Sequence, residues 1–282
     1  MPFDEAAAAA HVREAVLATP LAVEPFAHLL IADLYPDDVY DGIMTMWPEL
    51  DLFRRSNSQT RYEFNFHVGH KTLPKEDLEF WRKVTRVTNI ANLTIQQRLS
   101  PRFGEKFAPY IGTNWASAVG GNVDCLDTSL QLATYTNSFG LAPHVDSLRL
   151  LTNAFVYFSD RDAKVVEPDL GTVLYKSRGL AIPTNWPLER EATAPFLDRA
   201  VVSPFQRNHC LAYVNSPISF HGVDEVDIGA RHRRLLMFGS VIYVREVQRI
   251  MGEEIANRVL NATRPKPQTG ENARVDPFDT RG

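Results

Sequence analysis

Cysteine is scarce: only two occur in 282 residues, Cys125 and Cys210. They lie far apart and outside any C-x-x-C spacing, which argues against a disulfide framework or a thiolate zinc site and fits a reducing cytoplasm. An excess of charge of one sign is also missing. Thirty Lys and Arg stand against 34 Asp and Glu, a net charge of −4, so there is no basic field for nucleic acid or an acidic membrane. No apolar run is long enough to span a bilayer. The first residues place Asp4 and Glu5 before the Ala6–Ala10 run, without the basic segment and long apolar core of a secretory signal. No internal repeat is present. What remains is the composition of an ordinary soluble globular protein, 44% hydrophobic and 23% charged, and no linker interrupts residues 1–282, which read as one domain.

The N-terminal part alternates helix and strand signals. Residues 4–18 are alanine-rich and end before Pro20, as a short helix does. Phe26 to Ile31 is a compact apolar strand, followed by an acidic helix start at Asp37 and Asp38. Arg61 to Val68 alternates as a strand. Pro74 opens a long helix to about Leu99, with Leu78, Trp81, Val84, Thr88, Ala91 and Ile95 at three- and four-residue steps. Residues 100–126 are mixed. From Asp127 onward strand follows strand: 130–136, 148–158, 171–175, 200–202, 210–214, 218–223 and 233–244, rich in β-branched and aromatic residues. Strands in series without helices between them predict a sandwich or barrel. Residues 176–198, with Pro183, Pro187 and Pro195, form a long irregular loop of the kind that covers sites. Residues 246–260 predict a final helix, and 263–282 have the composition of a loosely held tail.

The residues with chemical potential centre on Pro143-His144-Val145-Asp146-Ser147. In an extended chain the period of two puts His144 and Asp146 on one face, within reach of one metal ion. Among the eight histidines, His221 differs by its setting in the apolar run Ser219-Phe220-His221-Gly222-Val223. Two imidazoles and one carboxylate make a facial triad that suits non-haem Fe(II) and leaves positions open for co-substrate and dioxygen. Downstream come Arg231, Arg233 and Arg234. Arg231 and Arg233 share one face of an extended strand, and a guanidinium there can pair bidentately with the carboxylate of a bound 2-oxo acid.

His144-x-Asp146 followed by His221-x-Val223-x-x-Val226-x-x-Gly229-x-Arg231 resembles the pattern of the Fe(II)/2-oxoglutarate-dependent dioxygenases, in their prolyl-hydroxylase-like branch. The run Phe26–Ile31 with its acidic helix is similar to the opening strand of that branch, and the likeness extends over about 24–245, leaving 246–282 as a C-terminal helix and tail. The resemblance implies a mainly β fold with flanking helices (α+β), its core a double-stranded β-helix, the jelly roll also seen in cupins, packed against N-terminal helices. It implies that His144, Asp146 and His221 hold Fe(2+), that Arg231 holds the distal carboxylate of 2-oxoglutarate, and that Tyr135 hydrogen-bonds this co-substrate. If the segment after His221 is longer by two residues, Arg233 takes the place of Arg231. Because Asp146 is present rather than a small residue, hydroxylation or a related oxidation with O2 is expected instead of halogenation.

Substrate contacts are expected from 109–122 and 176–198, with Asn114, Trp115, Lys176, Arg178 and also Arg149 as candidates. The expected substrate is a small molecule, an amino acid or a natural-product intermediate, with a protein side chain left open, no nucleic acid or membrane partner, and the oligomeric state open, a homodimer included. Two other readings stay open at this point. One is a cupin-like metal-dependent isomerase or hydrolase, and the other a β-sandwich binding module without catalysis.

Overall fold

The computed structural model describes all residues except 1–2, 57–59, 121–122, 128–129, 160–164, 185–187 and 263–282, so the expected C-terminal tail and Pro187 lie outside the described residues. In chain order the elements are α1 (Glu5–Ala18), β1 (His28–Ile31), α2 (Asp37–Thr45), β2 (Arg54–Arg55), β3 (Arg61–Asn65), α3 (Phe66–Gly69), α4 (Lys75–Leu99), α5 (Gly104–Ile111) and α6 (Trp115–Val119). They continue with β4 (Cys125–Asp127), β5 (Gln131–His144), β6 (Leu150–Phe158), β7 (Glu167–Ser177), α7 (Arg190–Thr193), β8 (Leu197–Phe205), β9 (Cys210–Val214), β10 (His221–Ile242), α8 (Val244–Met251) and α9 (Glu253–Ala262).

The strands pair antiparallel, in the order β1-β9-β6-β10-β5-β3-β2. The start of β10 turns away to pair with β7, and β7 pairs with β8. The sheet therefore doubles back on itself as a jelly roll, and its two halves are joined across the interior by the Tyr157 hydroxyl, which donates to Thr172 Oγ1 at 2.8 Å. Alternation divides each strand between two environments. Leu132, Leu236, Phe238 and Val156 face the helices. Ala133, Tyr135, Leu235 and Tyr157 face the barrel interior.

The helical layer follows from local signals. Asp4 caps α1 by accepting from the amides of Ala6 and Ala7. In α4, Pro74 stands at the N-cap with Glu76 and Asp77 in the first turn, and Phe80, Trp81, Val84, Val87, Ala91, Ile95 and Leu99 form the buried stripe. Asn92 on that stripe donates to the Gly239 carbonyl at 2.9 Å, which ties the helix to β10. No helix among the described residues is long and apolar enough to cross a membrane.

Several expectations change. The strand expected over 61–68 stops at Asn65, whose side chain accepts from the His67 amide and turns the chain into α3. The two strands expected at 218–223 and 233–244 are one strand, β10, kept continuous through shifts of register. The final helix is two, broken at Gly252, whose φ of 79° few side chains tolerate. Residues 100–126 hold short helices whose Phe103, Phe107 and Val119 join the helix-side core.

Candidate metal centre

His144 is the last residue of β5 and His221 the first of β10, and the two are direct partners in the ladder. Partners across an antiparallel pair project to the same face, so 77 residues of separation in sequence become ring centroids 4.3 Å apart. Gly222 permits the close approach, since a Cβ there would lie 2.6 Å from the Leu141 carbonyl oxygen. Asp146 follows two residues after β5 ends. One ligand atom from each of His144, Asp146 and His221 lies within 4.8 Å of the others.

Both rings are oriented by the backbone. His144 Nδ1 is 3.0 Å from the Ala142 carbonyl oxygen and His221 Nδ1 is 3.0 Å from that of Ser219. A carbonyl only accepts, so each Nδ1 carries the proton and each Nε2 keeps its lone pair for a metal. His144 Nε2 stands 3.8 Å from Asp146 Oδ1. Burial, reinforced by the charge of His221, pushes His144 down to about 4, so it is a neutral ligand at physiological pH. Burial alone would raise Asp146, but the two imidazoles and its hydrogen bonds outweigh this and hold the carboxyl below its usual range. Those bonds come from Tyr213 on β9 at 2.5 Å and Asn153 on β6 at 2.9 Å, both to Oδ2. Burial and the neighbouring carboxylate push the Tyr213 hydroxyl well up, so it remains a donor. The donor set is two imidazoles and one carboxylate, with no thiolate, which fits Fe(II).

Deeper in the barrel lies Arg233, 1% exposed. Its Nε donates to the Leu170 carbonyl at 2.6 Å and Nη2 to Thr172 Oγ1 at 3.3 Å. The rings of Tyr135, Phe139, Tyr157 and Phe205 surround its guanidinium at 5.3 to 5.8 Å. Among the described residues no carboxylate pairs with it, and its charge is delocalised enough to persist in burial only at a cost. Arg231 is placed differently. It is 44% exposed, with Nη1 2.6 Å from Glu167 Oε1 at the barrel surface. The reason is a bulge: from Asp227 to His232 β10 advances five residues while β5 moves two, from Ser138 to Thr136. Beyond that bulge Arg233 pairs with Tyr135, and both point inward.

The structure thus brings His144, Asp146 and His221 together, puts Tyr135 and Arg233 side by side in the same interior, and leaves Arg231 outside. The candidate substrate residues fall elsewhere. Trp115 packs on the helix-side core, Lys176 pairs with Glu24 and Arg178 with Asp198 at the surface, Asn114 is exposed, and Arg149 Nε donates to the Ile242 carbonyl. Within 176–198, Ile182 joins the cluster around Val145, and Thr184 Oγ1 accepts from the Leu148 amide, next to the metal loop. Three participants carried little sequence signal. Tyr213 looked like any strand aromatic, whereas Asn153 is a polar residue inside the apolar run 150–158. Asn215, just after β9, accepts from the Asp146 amide at 3.2 Å and donates to the Ser147 carbonyl, and so holds the metal loop.

No family model matches the chain, and no curated protein matches it. Among solved structures it is similar to a prolyl-4-hydroxylase from Pseudomonas putida, with 11% identity over 83% of this chain and 98% of that one, TM-score 0.46. It is similar also to a Trichoplax adhaerens prolyl hydroxylase in complex with a hypoxia inducible factor peptide fragment, with 9% identity, 84% and 90% covered, TM-score 0.48. A third is HygX from Streptomyces hygroscopicus with nickel and 2-oxoglutarate bound, with 14% identity, 76% and 82% covered, TM-score 0.44.

Proposed function

We propose that this protein is an Fe(II)- and 2-oxoglutarate-dependent oxygenase that oxidises a C–H bond of a small molecule. The observation that carries the reading is Arg233: a buried guanidinium without a counter-charge among the described residues, in the same interior as a His/Asp/His cluster whose ligand atoms converge. A dicarboxylate with a 2-oxo acid at one end meets both needs, since one end chelates a metal and the other pairs with the guanidinium. A metal-dependent isomerase or hydrolase, or a binding module, would leave the charge of Arg233 without purpose.

In this reading His144 Nε2, Asp146 Oδ1 and His221 Nε2 hold the iron. Bound Fe(II) supplies the redox chemistry, coupling decarboxylation of 2-oxoglutarate by O2 to insertion of the second oxygen atom into the substrate C–H bond, with succinate and CO2 released. The chain's own part is placement. Tyr213 and Asn153 fix the carboxylate, the Ala142 and Ser219 carbonyls fix the imidazoles, and Arg233 with Tyr135 orients the co-substrate. The aromatic rings around Arg233 exclude water, which strengthens its pairing with a carboxylate.

Anaerobic addition of Fe(II) and 2-oxoglutarate tests this directly. A visible metal-to-ligand charge-transfer band is expected, and its absence from folded, iron-loaded protein would sink the reading. His221→Ala should abolish iron binding while the fold, followed by circular dichroism, persists.

A further inference from the structure

A second charged group lies inside the barrel, separate from the triad and from Arg233. β3 runs antiparallel to β5 with Arg61 opposite Tyr135 and Glu63 opposite Ala133. Direct partners share a face, and Tyr135 and Ala133 belong to the interior cluster. Arg61 and Glu63 therefore both point inward from the edge of the barrel. Tyr135 is flanked by cations, with the Arg61 guanidinium carbon 5.5 Å and that of Arg233 5.3 Å from its ring centroid. Arg61 also lies within electrostatic reach of Asp146 and His144, which places it on the metal side of that tyrosine.

This pair is poorly satisfied. Arg61 Nε lies 2.8 Å from Glu63 Oε1, and the two side chains are only 25% and 31% exposed. Nε is closed off from solvent yet makes no well-directed hydrogen bond. Glu63 is the only ionic partner of Arg61 among the described residues. A guanidinium offers five donors and a carboxylate about four acceptor sites. Among the described residues the guanidinium has, besides this imperfect contact, only the face of Tyr135, which leaves most of its donors without an acceptor, and stability alone does not account for such a pair. The missing partners are those a ligand would bring.

We infer that Arg61 and Glu63 bind the zwitterionic head group of a free amino-acid substrate, its carboxylate on Arg61 and its ammonium on Glu63. The inference rests on the oxygenase reading and names the substrate class of that site. Charge balance selects this ligand: a neutral pair matches a neutral head group with two charges. A ligand with a single charge would add a partner to one member only and leave the partly buried site with a net charge. Amine and carboxylate on one carbon also suit two side chains only two residues apart on a strand.

The test uses the full chain loaded anaerobically with Fe(II) and 2-oxoglutarate. Each free L-amino acid is titrated by calorimetry, followed by the N-acetyl and carboxamide derivatives of the one that binds best. Blocking either end should weaken binding at least tenfold. Arg61→Gln should erase the discrimination against the carboxamide, and Glu63→Gln the discrimination against the N-acetyl form. Circular dichroism and the charge-transfer band report on the fold and the loaded site of each variant. Three results overturn the inference while leaving the oxygenase reading intact: the band forms but no amino acid binds; blocked and free forms bind equally; or discrimination survives both substitutions. If 2-oxoglutarate itself does not bind, the oxygenase reading fails and this inference falls with it.

Discussion

Arg233→Met separates a ligand-binding arginine from a structural one. Its guanidinium is 1% exposed, with two hydrogen bonds and no counter-charge among the described residues. Replacing a buried charge by an apolar side chain of similar length is often neutral or stabilising, by about 1–4 kcal/mol. Against this stands what the substitution orphans. Thr172 Oγ1 keeps the bond from the Tyr157 hydroxyl at 2.8 Å, so only the Leu170 carbonyl loses its side-chain partner, at about 1–3 kcal/mol. The ligand-free variant should therefore unfold within about 2 kcal/mol of the parent, on the neutral or stabilised side. Its response to 2-oxoglutarate should differ sharply. Loss of a buried charge-assisted pair costs about 2–5 kcal/mol, which weakens binding roughly 30-fold to several thousand-fold. Denaturant unfolding with and without metal and 2-oxoglutarate measures both quantities, because the ligand stabilises only the form that binds it. Destabilisation of the ligand-free variant by more than about 4 kcal/mol would make Arg233 a structural residue. Unchanged 2-oxoglutarate affinity, with affinity lost in Arg231→Met, would refute the argument from the bulge.

Other consequences concern the groups around the centre. Burial pushes Lys106 on α5 down to about 7 from 10.5, where it donates to the carbonyls of Leu150 at 2.7 Å and Asn215 at 3.0 Å. Between those two values the unfolded chain binds a proton that the folded chain does not, so stability should rise with pH across about 7 to 10.5, by at most about 1.4 kcal/mol per unit. Urea unfolding at several pH values checks this, and a slope that persists in Lys106→Met would show another group responsible. Tyr213→Phe removes a donor to Asp146 and should lower metal affinity about 10–100-fold in a metal titration, with stability changed by only about 1–2 kcal/mol. Gly222→Ala forces a Cβ against the Leu141 carbonyl and should destabilise by about 1–3 kcal/mol while weakening metal binding, since His221 moves with the strand. A melting temperature and metal affinity both unchanged would show that the backbone yields there at no cost.

The sequence by itself determined what depends on short-range pattern. Apolar spacing over Leu78–Ile95 with Pro74 ahead of it was enough to place α4, because a helix is a local structure with a recurrent stripe. The strand series after Asp127 pointed to an all-β core for the same reason, as alternation is local. His144 and Asp146 stood out because their spacing can be read along one strand, and His221 because an apolar run surrounds it. Tertiary structure decided everything that depends on register between distant segments. Whether Arg231 or Arg233 faces the interior turns on a bulge between β10 and β5, and a shift by an odd number of residues reverses the face of every side chain beyond it. The support from Tyr213, Asn153 and Asn215 comes from strands that meet the metal loop only after the sheet has folded over. Arg61 and Glu63 lie in the run read only as an alternating strand, which says nothing of what they face. They become interior groups because β3 adds to the edge of β5 with Arg61 opposite Tyr135, and pairing across strands, unlike alternation within one, leaves no trace in a single chain's local pattern.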